Sequence, residues 1–167
     1  TSAIAISEPG AGGDPAGMKT KAVKDGDHWV INGRKIWISR IAKAAFTIAM
    51  AVTDPNLGAR GGITAFLIDK GTPGLGVARA IPMLAGQRTY EVVFEDCRVP
   101  AANRLGAEGE GYRIALSNLE AGRIGIAAQA VGMARAALDA ALAYAKERTS
   151  FGKVLADHQA VNFKLAD

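Results

Sequence analysis

The hydrophobic period changes once along this chain, and that switch limits the folds open to it. Up to about residue 105, short apolar runs of strand length alternate with turn residues. Beyond the link Gly106-Ala107-Glu108-Gly109-Glu110-Gly111, apolar positions recur every three or four residues. In the first part, Asp25-Gly26-Asp27 reads as a turn and residues 28–31 as a short strand. Asn32-Gly33 then reads as a type I′ hairpin turn, with residues 35–39 returning as the partner strand. Residues 46–52, 63–68 and 90–94 are further strands, separated by the turn-rich segments 54–58 and 71–74. Several short strands with no helical period between them predict a β-barrel or sandwich.

In the second part, Leu116, Leu119, Arg123, Ala127, Ala130, Ala134, Ala137, Ala141 and Ala145 fall on one stripe of a helix predicted over residues 112–148. At ~1.5 Å per residue it is roughly 55 Å long. Gly122, Gly125 and Gly132 each weaken it by about 1 kcal/mol relative to Ala, and they leave room for a close neighbour or a ligand. Ser150-Phe151-Gly152 breaks the helix, and Asp157 is expected to cap another. The class is therefore α+β, with a β-module over residues 1–105 and helices over 106–167.

Composition excludes several functions. Twenty Lys and Arg against 16 Asp and Glu give a net charge of only +4, without basic blocks or interleaved aromatics, which argues against nucleic acid. The single Cys97 permits no intrachain disulfide and fits a reducing, intracellular compartment. His28 and His158 lie too far apart for a metal-ligand spacing. The best membrane-span candidate, residues 124–145, is interrupted by Gln129, Arg135 and Asp139, so no span is expected. The chain starts without Met, within a strand and with no charged-then-apolar leader, and so reads as a piece of a longer protein.

Three segments carry candidate chemistry. Ile4-Ala5-Ile6 runs into Ser7-Glu8-Pro9-Gly10-Ala11-Gly12-Gly13-Asp14, a strand end whose backbone N–H groups and Ser7 hydroxyl suit a flat, anionic ligand. It is not a dinucleotide fingerprint: Gly10 and Gly12 fit, but Pro15 takes the third glycine position and no βαβ unit follows. Trp37 and Ser39 share a strand face by alternation, which serves either a core Trp with a strand-end Ser or an aromatic wall beside a hydrogen-bond donor. Glu120 and Arg123 read as an i,i+3 surface ion pair or as a cation beside glycines that meets an anion.

Taken in order, these segments resemble the acyl-CoA dehydrogenase family over the whole chain. The resemblance rests on Ile6-Ser7-Glu8-Pro9-Gly10-Ala11-Gly12-Gly13-Asp14, on Asn32-Gly33-Arg34-Lys35-Ile36-Trp37-Ile38-Ser39, and on Val92-Val93-Phe94-Glu95-Asp96-Cys97-Arg98-Val99-Pro100. It continues through Gly109-Glu110-Gly111-Tyr112, the run from Gly122 to Ala130, and Glu147-Arg148-Thr149-Ser150-Phe151-Gly152-Lys153 with His158-Gln159-Ala160. The resemblance implies most of a middle β-barrel-like domain, followed by the first helices of an antiparallel four-helix bundle.

It also implies FAD as cofactor. Ile4, Ala5, Ile6, Ser7, Gly12 and Gly13 would line the flavin, and Trp37, Ile38 and Ser39 would cover its face, Ser39 donating to N5. Arg148, Ser150, Phe151 and Gln159 would reach the FAD of a neighbouring subunit. Gly13, Glu120 and Arg123 would contact an acyl-CoA thioester, Glu120 standing where Asp is frequent. The implied reaction is α,β-dehydrogenation in fatty acid or amino acid catabolism. Its implied acceptor is an electron-transfer flavoprotein, and its implied setting is a dimer or tetramer in bacterial cytoplasm or mitochondrial matrix.

No catalytic base is assigned. The resemblance places it beyond Asp167, or in a minority of the family at Gly122, and Glu120 lies about 200° around the helix from that position. Two departures stand out: Gly13 replaces a usual Ser, and Met83-Leu84-Ala85-Gly86-Gln87-Arg88-Thr89-Tyr90-Glu91 differs from the family's commoner run. An acyl-CoA oxidase, a flavin monooxygenase or a non-catalytic CoA- or flavin-binding scaffold are the alternatives.

Overall fold

The computed structural model describes the backbone of residues 1–167 and every side chain except that of Ala85. Two compact units are present, Thr1–Ser117 and Asn118–Asp167. The first carries a mixed sheet built from β1 (Ser2–Ala5), β2 (Lys21–Asp25), β3 (His28–Ser39), β4 (Phe46–Val52), β5 (Ile63–Asp69), β6 (Leu75–Pro82), β7 (Arg88–Pro100) and β8 (Arg104–Leu105). The eight strands run in the order β6-β7-β3-β2-β4-β5-β8, with β1 lying parallel to β4.

The apolar runs of β4 and β5 show why they sit in the middle. Ala49, Ala51, Phe66 and Ile68 face one core, with Trp29, Ile31, Ile38, Val92, Phe94 and Val99. The alternate residues Met50, Ile63 and Ala65 face a second cluster with Ala11, Met18 and Ala115. A strand apolar on both faces must be covered on both. Trp29 and Phe66 meet as tilted rings 5.4 Å apart. Each fully buried Phe or Ile contributes about 1.5–3 kcal/mol.

The Asn32-Gly33 turn expected from sequence is absent. β3 passes straight through it as one 12-residue strand, and the hairpin turns instead at Gly26-Asp27, pairing Asp25 with His28. Gly33 marks a register shift against β7. Its φ is +153°, and a Cβ there would lie 2.4 Å from Thr20 Oγ1 and 2.6 Å from Thr20 Cα. The glycine is thus required by a neighbouring backbone rather than by a turn. Asn32 turns its amide outward, donating to Asp96 Oδ1 (3.0 Å) and accepting from the Asp96 N–H (2.8 Å). β7 likewise runs 13 residues, extending the strand expected over residues 90–94 in both directions.

The link to the helix is fixed by close approach. Gly109, at φ +83°, donates its N–H to Thr64 Oγ1 (2.9 Å), and a Cβ there would press on the Gly61 carbonyl. From here α1 (Gly111–Glu147) extends 37 residues, close to the predicted span. Glu110 closes its N-terminus, accepting from the Ala107 N–H (2.8 Å) and from Arg113 (2.6 Å). Those donors hold its carboxyl below the usual carboxylate range.

Large apolar side chains run along the exposed length of α1, including Leu119, Ile124, Ile126, Val131 and Met133. By length and composition alone the helix qualifies as long and apolar enough to cross a bilayer, against the expectation of no such run. Its Arg135 and Asp139 pair at i,i+4 (3.4 Å).

After α1, β9 (Thr149–Ser150) and β10 (Lys153–Val154) form a two-stranded hairpin. Phe151 and Gly152, with φ of +50° and +78°, make its turn. Two successive positive φ values are the type I′ pattern, so the break expected at Ser150-Phe151-Gly152 is the turn of a hairpin. Leu155 N–H closes the hairpin onto the Arg148 carbonyl (2.8 Å). The final helix α2 (Gln159–Ala166) starts after His158. Asp157 lies in a preceding 3₁₀ turn and does not cap it.

Candidate functional site

The bulge in β3 builds the site. Between Lys35 and Ile38 the register against β7 slips, and Trp37 takes φ +63°. A bulky aromatic in the left-handed region is strained by roughly 1–3 kcal/mol. The slip buries both Lys35 and Ile36 and turns Trp37 outward, 52% exposed. The core-Trp reading is therefore wrong, and Trp37 and Ser39 line the same pocket.

That pocket has a volume of about 740 Å³. One wall is β1 through Ile4, another is Trp37 and Ser39, and the far wall is Gly86, Gln87, Arg88 and Tyr90. The far wall belongs to the run 83–91 that departs from the family pattern; Ala85 within that run lies outside the described side chains. Arg40, Lys43 and Arg88 add three cations to the lining. Arg40 itself sits at φ +64°. An exposed indole, a Ser39 hydroxyl with no partner among the described residues and three cations suit a flat ligand that carries phosphate.

The loop after β1 is fastened beside this bulge. Ile36 N–H donates to the Ser7 carbonyl (2.9 Å). Lys35 Nζ donates to the Ile6 carbonyl (3.0 Å) and to Glu8 Oε1 (2.8 Å). Glu8 also accepts from the backbone N–H groups of Lys19 (2.6 Å) and Thr20 (3.0 Å). The Lys35 side chain is 0% exposed and that of Glu8 7%. Burial pushes the Glu8 carboxyl up, but the Lys35 ammonium and the loop N–H groups outweigh it and hold it below its ordinary value. Burial lowers Lys35, and Glu8 only partly offsets this.

The other expected residues divide by position. Ala5 and Ile38 are buried in the main core, so they offer a ligand only backbone atoms. Ile6 packs against the second cluster. Gly12 and Gly13 are exposed, and a Cβ at either meets nothing within 4 Å, so space does not dictate glycine there. The Ser7 hydroxyl has no partner among the described residues.

Glu120, Arg123, Arg148, Ser150, Phe151 and Gln159 belong to the second unit. Glu120 and Arg123 do not pair: the ion pairs described on α1 are those of Arg113 and Arg135. Phe151 is 96% exposed on its hairpin tip. His158 Nε2 donates to the Ser150 carbonyl (3.0 Å), and its ring meets Phe151 edge-on at 6.3 Å.

Sequence reasoning missed the cations of the pocket and the part played by Lys35. Lys35 touches a residue 27 positions earlier, and nothing local signals that contact. Arg40 carried a faint signal, as a cation directly after the Trp37-Ile38-Ser39 motif.

A β-module with a bulged Trp-Ile-Ser strand over a phosphate-suited pocket, followed by a long apolar helix, has a counterpart among known proteins. Residues 3–97 match the acyl-CoA dehydrogenase middle domain, and residues 109–167 its C-terminal domain. The chain belongs to the acyl-CoA dehydrogenase family. It is 46% identical to an acyl-CoA dehydrogenase of Bacillus subtilis (strain 168), over 99% of this chain and 44% of that protein. The butyryl-CoA dehydrogenase of Megasphaera elsdenii superposes with a TM-score of 0.91 at 44% identity, over 99% of this chain and 44% of that one. A solved FAD complex of PigA superposes at 0.92 with 36% identity, over 99% of this chain and 43% of that one. The chain thus spans less than half the length of the relatives it matches.

Proposed function

We propose that the protein this chain belongs to is an FAD-dependent acyl-CoA dehydrogenase, removing an α-proton and a β-hydride from an acyl-CoA thioester. The observation that carries this reading is the pocket where Ile4, Trp37 and Ser39 meet the cations Arg40, Lys43 and Arg88. FAD, when bound, supplies the acceptor for the hydride.

The chain's own groups bind and orient. Trp37 offers its exposed face to the flavin ring and Ser39 its hydroxyl to N5. Ser7 adds a second donor, and backbone atoms of Ala5, Ile6, Ile38, Gly12 and Gly13 complete the cradle. Gly13 offers only its backbone N–H to cofactor and thioester, having no side chain. In the second unit, Arg148, Ser150, Phe151 and Gln159 serve the cofactor of a neighbouring subunit. Phe151, displayed 96% exposed on a strained turn, suits that role because its hydrophobic face has no cover within its own unit. Arg123 meets the anionic part of the thioester, with Glu120 on the same helix.

Gly122 has no side chain and Glu120 lies about 200° around the helix from it, so neither is assigned as the base. Residues 1–105 form the flavin-binding module and residues 106–167 open the helical bundle, whose further helices cover the apolar faces of α1. The match of residues 109–167 to a family domain is why α1 is read as a bundle helix and not a membrane span. An electron-transfer flavoprotein as acceptor, an oligomeric enzyme and a cytoplasmic or matrix location belong to the same reading.

The test is the visible absorption spectrum of the protein purified from its full reading frame. A tightly held flavin, released as FAD on denaturation, is expected. A colourless protein that takes up no added FAD overturns the proposal. Rapid oxygen consumption by the substrate-reduced protein converts it to an oxidase.

A further inference from the structure

We propose that Lys35 is a positioning residue for the flavin pocket, fixing the Ser7 loop to the Trp37–Ser39 strand through its bond to the Ile6 carbonyl. The inference rests on the flavin reading above and goes beyond it, since Lys35 is fully buried and is not among the residues lining that pocket.

The geometry is a three-point clamp between consecutive residues of two segments. Ile6 is held by Lys35 Nζ (3.0 Å), Ser7 by the Ile36 N–H (2.9 Å), and Glu8 again by Lys35 Nζ (2.8 Å). Trp37 and Ser39 follow immediately on the same strand. The clamp sits at the register slip between Lys35 and Ile38, where the β7 ladder gives up its hold on β3. Without ladder bonds there, another interaction must set how far the Ser7 hydroxyl stands from Ser39 and Trp37.

A buried ion pair is a poor source of net stability. The desolvation of both ions largely cancels their attraction, and apolar replacements are often neutral. Its directional bonds, however, remain specific. Lys35 donates to a carboxylate and to a main-chain carbonyl at once, so Glu8 serves to hold the ammonium in place while the Ile6 bond places the loop. This separates the two partners: losing Glu8 leaves the Ile6 bond, whereas losing Lys35 removes it.

Three variants of the protein from its full reading frame test this: Glu8→Gln, Lys35→Met and the double Glu8→Gln/Lys35→Met. FAD is removed and retitrated by quenching of its fluorescence. Glu8→Gln is expected to bind FAD within about threefold of the parent, because Lys35 still donates to Ile6. Lys35→Met and the double are expected to bind about tenfold more weakly or worse, the loss of one charge-assisted hydrogen bond, with a shifted visible band. The double is expected to melt close to the parent, because no charge is left unpaired.

Hydrogen exchange in the flavin-free protein reads the clamp without any cofactor. The Ile36 amide is expected to exchange at least about tenfold faster in both Lys35 variants and unchanged in Glu8→Gln. A parent that takes up no FAD defeats the flavin reading, while this exchange result still decides the clamp. Parental FAD affinity and Ile36 exchange in the double overturn the inference. So does equal damage from Glu8→Gln and Lys35→Met. Failure of both Lys35 variants to fold, with Glu8→Gln folded, assigns Lys35 to stability and overturns it as well.

Discussion

Gly33→Ala is the sharpest probe of the β-module, because the sequence and the structure assign that glycine to different jobs. A methyl group there would lie 2.4 Å from Thr20 Oγ1, 2.6 Å from Thr20 Cα and 2.7 Å from Thr20 Cβ, on a backbone with φ +153°. A non-glycine residue in that region costs about 1–3 kcal/mol. Overpacking against a buried neighbour adds about 1–3 kcal/mol. The expected destabilisation is therefore roughly 2–6 kcal/mol. Trimming the neighbour in Thr20→Ala/Gly33→Ala removes only the Oγ1 contact, since Cα and Cβ stay in place. Less than half of the loss should return. Urea unfolding followed by the emission of Trp29, 3% exposed in the core, gives both numbers. A Gly33→Ala variant within about 1 kcal/mol of the parent would refute the argument that β3 runs straight past Thr20.

Other expectations follow from the same contacts. Cys97 is fully buried, and burial raises its thiol to about 11, so the folded protein should resist a thiol reagent at pH 8 and react only on unfolding; prompt labelling of the native state contradicts this. Glu8 and Glu91 have folded-state values below their ordinary ones. Their stabilisation is fully present above the ordinary carboxylate range and is lost as pH falls through the lowered values. Glu91→Gln releases Arg34 and Arg79, and acid titration of its melting temperature should show a shallower decline than the parent's. Phe151→Ala should leave the melting temperature of the flavin-free protein unchanged, because the side chain is 96% exposed, yet speed FAD loss from the assembled protein. Unchanged FAD retention would remove Phe151 from the site.

What the sequence made legible tracks how local each signal is. β4 and β5 are continuous apolar runs, and α1 repeats its period for ten turns, so all three stood out. β3 did not, because Asn32-Gly33 is a strong local turn signal whose true cause is Thr20, brought alongside by the β2–β3 pairing. β6 was missed because it is an edge strand, mostly exposed and carrying Gly76, Arg79 and Pro82 rather than an apolar alternation. Trp37 and Ser39 were placed on one face by simple alternation, and they do share a pocket, although a bulge rather than regular pleating puts them there. The cations Arg40, Lys43 and Arg88 lie on separate segments, and only the fold assembles them.

On the proposed function, this pocket holds a flavin which an acyl-CoA reduces. Anaerobic titration of the protein from its full reading frame with saturated acyl-CoA thioesters of graded chain length measures this directly. The visible flavin absorption is expected to bleach with at least one of them, and Trp37→Ala and Ser39→Ala are expected to lessen the bleaching or the flavin content. A bound flavin that no acyl-CoA bleaches, or full bleaching in both variants, would contradict it.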